Sequence, residues 1–251
     1  MSMPGWVVES GQDEGVPNVI LFDLDDTLFA HREAVNAGAL SVLRQLDVPP
    51  STELEDAEVA RWTELEELHY TRYLTGDLDY LGQRRARARD FLAPYGVEFV
   101  TDAEAETWFE HYLGHYRDAW DVYPDTMSVL GALADRRLGI ITNGELDFQL
   151  AKIAATGLAP LFEHVVASGE FGFTKPDARI FHAACAAFGV TPSDAVYIGD
   201  RLHTDAIGAT NAGLRGIWID RLGATPADLA EAEASGVSVI TSLAELPALL
   251  V

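Results

Sequence analysis

Val19-Ile20-Leu21-Phe22-Asp23-Leu24-Asp25-Asp26-Thr27-Leu28 is a short apolar run that breaks into a cluster of carboxylates. Consecutive apolar residues predict a strand buried on both faces, and the change at Asp23 sets Asp23 and Asp25 at its carboxyl end, where open parallel sheets hold their ligands. Carboxylates gathered there repel one another, and proton uptake, a salt bridge or a hard cation such as magnesium relieves them. A strand running into an acidic turn is the plainer reading of the same residues, since Asp is common in turns. The rest of the chain decides between the two.

Beyond Tyr123 apolar strands alternate with helices. Leu138-Gly139-Ile140-Ile141-Thr142-Asn143-Gly144, His164 to Ser168, Ala195 to Asp200, Gly216 to Asp220 and Val237 to Thr241 read as strands. Between them lie a helix through Met127, Leu130 and Leu133, one with Leu146, Leu150 and Ile153 on a face, one opened by Lys175-Pro176-Asp177, and one from about Asp205 to Asn211. Gly157, Gly189 and Gly213 supply stops, Pro176 occupies a favoured first-turn position, and Ser242 caps a last helix. Strict alternation predicts an α/β fold: a doubly wound, mostly parallel, Rossmann-like sheet.

Residues 31–121 break that rhythm. Helical patterns run from Glu33 to Leu46, stopping before Pro49-Pro50, then over Leu54–Tyr73, Asp79–Leu92 and Asp102–Trp120, with no strong strand signal. A parallel crossover needs one helix, so the segment is expected to be a helical cap domain standing like a lid over the strand ends. The core is then 18–30 with 122–251, preceded by a loosely held leader over 1–17. Arg84, Arg85, Arg87 and Arg89 concentrate four of the 17 basic residues on one stretch. They are either local positive charge for an anionic ligand or a solvated face paired with the Glu-rich Glu53–Glu67 segment, the plainer account. Tyr70, Arg72, Tyr73, Arg84 and Trp108 are candidates for substrate contact from the cap.

Composition narrows the function. A net charge of -23 argues against nucleic acid or an anionic membrane as partner, because both need clustered Lys and Arg. No apolar run approaches the roughly 20 residues that cross a bilayer, and the first residues do not form an export signal, so a cytoplasmic location is expected. The lone Cys185 lies among apolar neighbours and reads as a buried, inert thiol. Nothing in the pattern chooses between monomer and homodimer.

The polar residues at the strand ends are Asp23, Asp25, Thr142, Lys175, Asp200 and Asp205. They supply a nucleophilic carboxylate, a second carboxyl to pass a proton, donors for an anion and carboxylates for a metal. That inventory suits phosphoryl transfer.

With these residues in place, the chain resembles the haloacid dehalogenase-like hydrolases, in the branch with a helical cap inserted after the first core strand. The resemblance rests on Asp23-Leu24-Asp25-Asp26-Thr27-Leu28, Ile141-Thr142-Asn143-Gly144, Lys175-Pro176, and Gly199-Asp200 with Thr204-Asp205, in the family's order. It implies that Asp23 attacks phosphorus to form an aspartyl phosphate and that Asp25 is the acid and base. It implies Mg²⁺ held by Asp23, Asp200 and the Asp25 backbone carbonyl, and phosphoryl binding by Thr142 and Lys175, with Asn143 and Gly144 shaping the backbone there. Asp205 would hold Lys175 or a metal-bound water. Dehalogenating members lack an acid at the position of Asp25, so the resemblance points to a small phosphate ester, a nucleotide or sugar phosphate, as substrate. A phosphomutase is the alternative within the same fold; a non-catalytic binding protein is the alternative outside it. His203 is expected to be a surface or supporting residue.

Overall fold

The computed structural model describes residues 18–46 and 51–250. The leader over 1–17 and the helix stop at Pro49-Pro50 lie outside them. The chain divides into two compact units, Phe29–Asp121 and the segments on either side of it.

The discontinuous unit is the α/β core. In chain order it comprises β1 (Val19–Phe22), and, after the insertion, α5 (Thr126–Ala132), β2 (Arg137–Thr142), α6 (Leu146–Ala155), β3 (His164–Ala167), α7 (Ala178–Phe188), β4 (Ala195–Gly199), α8 (Gly208–Asn211), β5 (Arg215–Ile219), α9 (Pro226–Ala234), β6 (Ser238–Ile240) and α10 (Leu246–Leu249). The strands form one parallel sheet in the order β3-β2-β1-β4-β5-β6. The fold is the Rossmann-like α/β class expected from the alternation. β1 has neighbours on both edges and layers on both faces, and all its residues are buried. An unbroken apolar run is the sequence signature of such a position.

Val19 and Leu21 pack on one face against Ile180, Phe181, Ala184 and Phe188 of α7. The approach is close enough that a Cβ on Gly139 would fall 2.6 Å from the Phe188 ring. α7 ends on Gly189, at φ 69°, as expected. Its start differs from the expectation: Asp177 is the N-cap, its side chain accepting from the Arg179 N–H, so Pro176 lies before the helix and not in its first turn. The Lys175–Pro176 peptide is cis. A second difference concerns α6. Leu150 is exposed, and the buried residues are Gln149, Lys152 and Ile153. Of the expected stripe Leu146, Leu150 and Ile153, Ile153 faces inward, and it shares that face with the polar Gln149 and Lys152.

The helical unit contains α1 (His31–Leu43), α2 (Thr52–Leu74), α3 (Tyr80–Leu92) and α4 (Asp102–Asp118). α1 packs on α2 and α4, and α3 on α2 and α4. Its centre is aromatic: Trp62 lies 4.8 Å from Phe91 between ring centroids, edge-on and within the range where such contacts are favourable, and 4.4 Å from Tyr112. Three of the helices start on N-caps readable in the sequence, Ser51, Asp79 and Thr101, the last forming a capping box with Glu104. The arginine cluster is ion-paired as the plainer reading expected, though chiefly with α4, and it is not a solvated face, since Arg87 is buried and the other three are half-buried. Arg85 meets Glu106 and Asp102, Arg89 meets Asp102 and Arg84 meets Glu110, while Arg87 alone pairs with Glu66 of the Glu-rich segment. Tyr70, Tyr73 and Tyr80 make a run of ring contacts within the same unit.

Candidate active site

The site gathers at the carboxyl ends of β1, β2 and β4 within the α/β core. β1 lies between β2 and β4, so Asp23, Thr142 and Asp200 are brought together by register alone. The Asp23 N–H continues the ladder to Ile198 O at 2.8 Å, which fixes Asp23 before the chain turns away. Asp26 then takes φ 60°, a left-handed conformation that Asp tolerates better than most residues.

Lys175 is buried and links the set. Its Nζ donates to Asp23 Oδ1 at 2.6 Å, Asp205 Oδ1 at 2.7 Å and the Tyr197 hydroxyl at 2.8 Å. The loop bearing it is clamped to the end of β2: Asn143 Nδ2 donates to Lys175 O at 3.1 Å, and Lys175 N donates to Asn143 Oδ1 at 2.8 Å. The Asn143 side chain is thereby committed to holding Lys175.

Asp205 sits on a π-helical turn, Leu202–Ile207, after β4. Arg201 N donates to its Oδ2 at 3.0 Å while Lys175 occupies Oδ1. Both oxygens are therefore engaged, as suits a residue that holds the lysine. Gly199 makes the approach possible, since a Cβ there would lie 2.4 Å from Asp205 Cβ.

The carboxylates of Asp23, Asp200 and Asp205 have oxygens within 4.8 Å of one another. Burial raises the Asp23 carboxyl to about 7 against the pull of Lys175, with Asp205 and Asp25 adding to the rise. Burial, then Asp205 and Asp23, also push Asp200 well above the usual carboxylate range. Lys175 moves upward as well: burial opposes its charge, but Asp205 and Asp23 outweigh it. Three carboxylates facing one ammonium leave a deficit of two positive charges. The Asp200 carboxylate and Asp23 Oδ2 accept no hydrogen bond among the described residues. Hard oxygen donors in this number and charge fit a small dication such as Mg²⁺.

The Asp25 carboxylate belongs to a different group. Lys152 Nζ donates to its Oδ1 at 2.7 Å and Gln149 Nε2 to its Oδ2 at 3.0 Å, and the same amide nitrogen lies 2.6 Å from Thr142 Oγ1. Thr142 is buried. Gln149, Lys152 and Tyr197 were not anticipated from the sequence. The first two follow Thr142 at positions that share a helical face, and that spacing was the available signal; Tyr197 was hidden inside an apolar strand. His203 is exposed, with Glu231 3.5 Å away, and Cys185 is buried with its thiol pushed up to about 11 by burial.

Comparison with known proteins shows the family of the chain. The family profile of haloacid dehalogenase-like hydrolases matches residues 17–213. The chain belongs to that family. Among similar proteins, phosphoserine phosphatase of Thermus thermophilus is 33% identical over 234 residues, covering 84% of this chain and 91% of that protein. Glyceraldehyde 3-phosphate phosphatase of Methanopyrus kandleri is 31% identical over 207 residues, covering 80% and 83%. A crystal structure of a HAD-hydrolase from Bacillus subtilis, bound to magnesium, shares the fold with TM-score 0.74 at 21% identity, over 93% of this chain and 98% of that one. The protein is a haloacid dehalogenase-like hydrolase akin to the family's phosphatases. Among the described residues no helix is long and apolar enough to cross a membrane.

Proposed function

We propose that this hydrolase is a Mg²⁺-dependent phosphomonoesterase acting on a small phosphorylated metabolite through an aspartyl phosphate. The observation that carries the reading is the convergence on one sheet edge of Asp23, neutralised by Lys175, with Thr142 and a second carboxyl, Asp25, beside it. The relatives act on phosphoserine and glyceraldehyde 3-phosphate, which supports a small substrate.

Asp23 attacks phosphorus in line, and the bond from phosphorus to the leaving oxygen breaks as that oxygen takes the Asp25 proton. The products are the free alcohol and an aspartyl phosphate. Water then attacks the same phosphorus, giving its proton to Asp25, and the bond to Asp23 breaks to release inorganic phosphate. Lys175 and the Thr142 hydroxyl offset charge on the phosphoryl oxygens, with the Asn143 and Gly144 backbone beside them. Asp205 keeps Lys175 in place. Asp23, Asp200 and the Asp25 backbone carbonyl would hold Mg²⁺, whose charge lets an anionic nucleophile meet an anionic ester.

Phosphate release from a panel of phosphoserine, glyceraldehyde 3-phosphate, other sugar phosphates and nucleoside monophosphates, with Mg²⁺ and with EDTA, tests the reading. The expected result is Mg²⁺-dependent release from at least one ester, abolished in Asp23→Asn. Isomerised sugar phosphate without phosphate release would instead identify a mutase and overturn it.

A further inference from the structure

The buried face of α6 carries two polar side chains to which the reaction above gives no part. Lys152 is 2% exposed and Gln149 3%. An ammonium placed so deep needs a counter-charge, and Asp25, two residues after the nucleophile, supplies one at 2.7 Å. Gln149 adds a link between groups of different function. Its amide nitrogen has two hydrogens, one directed to Asp25 Oδ2 and the other to Thr142 Oγ1. The opposite orientation of the amide would set its oxygen against the Asp25 carboxylate. Gln149 Oε1 is buried without a partner, so the amide gives up one bond to keep both N–H contacts.

Two consequences follow for the groups held. A hydroxyl has one hydrogen, and with Thr142 Oγ1 already accepting from Gln149, that hydrogen is left for another acceptor. Gly144 provides the room: a Cβ there would lie 3.0 Å from Gln149 Nε2 and 3.2 Å from Cδ. The glycine of the Thr142-Asn143-Gly144 turn thus matters for the amide as well as for the backbone.

We propose that Lys152 and Gln149 are positioning residues that join the Asp25 carboxyl and the Thr142 hydroxyl into one hydrogen-bonded unit, presenting proton transfer and phosphoryl binding together. The inference rests on the phosphatase reading above. In it Asp25 passes its proton to the leaving oxygen in the first step and takes one from water in the second, so releasing Asp25 harms both.

The test compares wild type and Lys152→Met on the primary-alkyl ester cleaved fastest in the panel and on 2,4-dinitrophenyl phosphate, whose leaving group departs without a proton. The alkyl ester is expected to lose kcat/KM by tenfold or more beyond the loss on the activated ester, within the roughly 10²–10⁴-fold that general acid–base catalysis contributes. On the activated ester kcat falls further than kcat/KM, and a burst of dinitrophenolate precedes the steady state, because the aspartyl phosphate now waits for its base. Lys152→Arg, which keeps a cationic donor, restores at least part of the difference. Equal losses on both esters, or no loss on either, overturn the inference while leaving the phosphatase reading intact. A wild type inactive on both esters ends that reading and the inference with it. Should Lys152→Met not fold, Gln149→Leu carries the same comparison, with the same outcomes deciding it.

Discussion

Asp23 is a buried carboxylate that must be ionised to act. Burial lifts its pKa to about 7, Lys175 opposes the rise, and Asp205 and Asp25 reinforce it. An Asp whose folded pKa is raised costs stability as it ionises: its favourable contribution is complete below the unfolded value near 4 and is lost as pH climbs through about 7. A dication bound by Asp23 and Asp200 takes the place of those protons, so its binding strengthens as pH rises. Mg²⁺ is therefore expected to raise the thermal midpoint more at pH 8 than at pH 5, measured by scanning fluorimetry with and without EDTA. An equal rise at both values would show that the metal does not meet Asp23. At this scale Asp23, Asp25, Thr142, Lys175, Asp200 and Asp205 were legible because each follows an apolar run or stands before a helix. Tyr197 was not: a hydroxyl inside Ala195-Val196-Tyr197-Ile198 looks like any core aromatic until Lys175 is found 2.8 Å away.

The elements were legible where local chemistry marks their ends. Gly189 stops α7 as expected, and Asp79 and Thr101 cap their helices within one residue of the starts expected at Asp79 and Asp102, while Ser51 caps α2 three residues before the start expected at Leu54. The polar side of α6 was not legible, since a buried Lys and Gln contradict the rule that stripes facing the core are apolar. The helix expected from about Asp205 to Asn211 starts earlier, as a π-helical turn over Leu202–Ile207, because such a turn differs from an α-helix by where its hydrogen bonds close and not by composition. That turn depends on missing side chains. Beyond Gly199 against Asp205, a Cβ on Gly216 would lie 2.2 Å from Ala206 O, and one on Gly208 2.9 Å from Pro176 Cβ. Gly199→Ala is expected to lower unfolding free energy by about 1–3 kcal/mol, as overpacking does, and to reduce phosphate release by displacing Asp205 from Lys175. Urea titration beside a phosphate-release assay checks both. Full activity at wild-type stability would mean the turn yields without cost.

Over the whole molecule, charge is the dominant fact. A net charge of -23 makes the folded state repel itself, and salt screens that repulsion by shortening the Debye length from about 30 Å at 0.01 M to a few ångström near 1 M. The thermal midpoint is expected to rise from 10 mM to 500 mM NaCl. A fall would mean that exposed pairs such as Arg44–Glu55 and Arg137–Glu163 outweigh the global repulsion. The α/β class was plain at this scale from the alternation of runs. Which acidic residues pair with the arginines of α3 was not, because α2 and α4 both offer Glu and Asp at helical spacing.

The insertion also bears on how the chain reaches this state. Within the helical unit Ala30 N donates to Asp121 O at 3.0 Å, and within the core Tyr123 N donates to Leu28 O at 3.0 Å, so in each unit the two severed ends meet. For β1 to find β2 in an unstructured chain, a loop of about 115 residues must close; once the helices have formed and drawn Phe29 to Asp121, the same search spans about 23, which lowers the entropic cost by about 1.4 kcal/mol. A segment that interrupts the core in sequence thereby acts as the clasp that brings its two halves together.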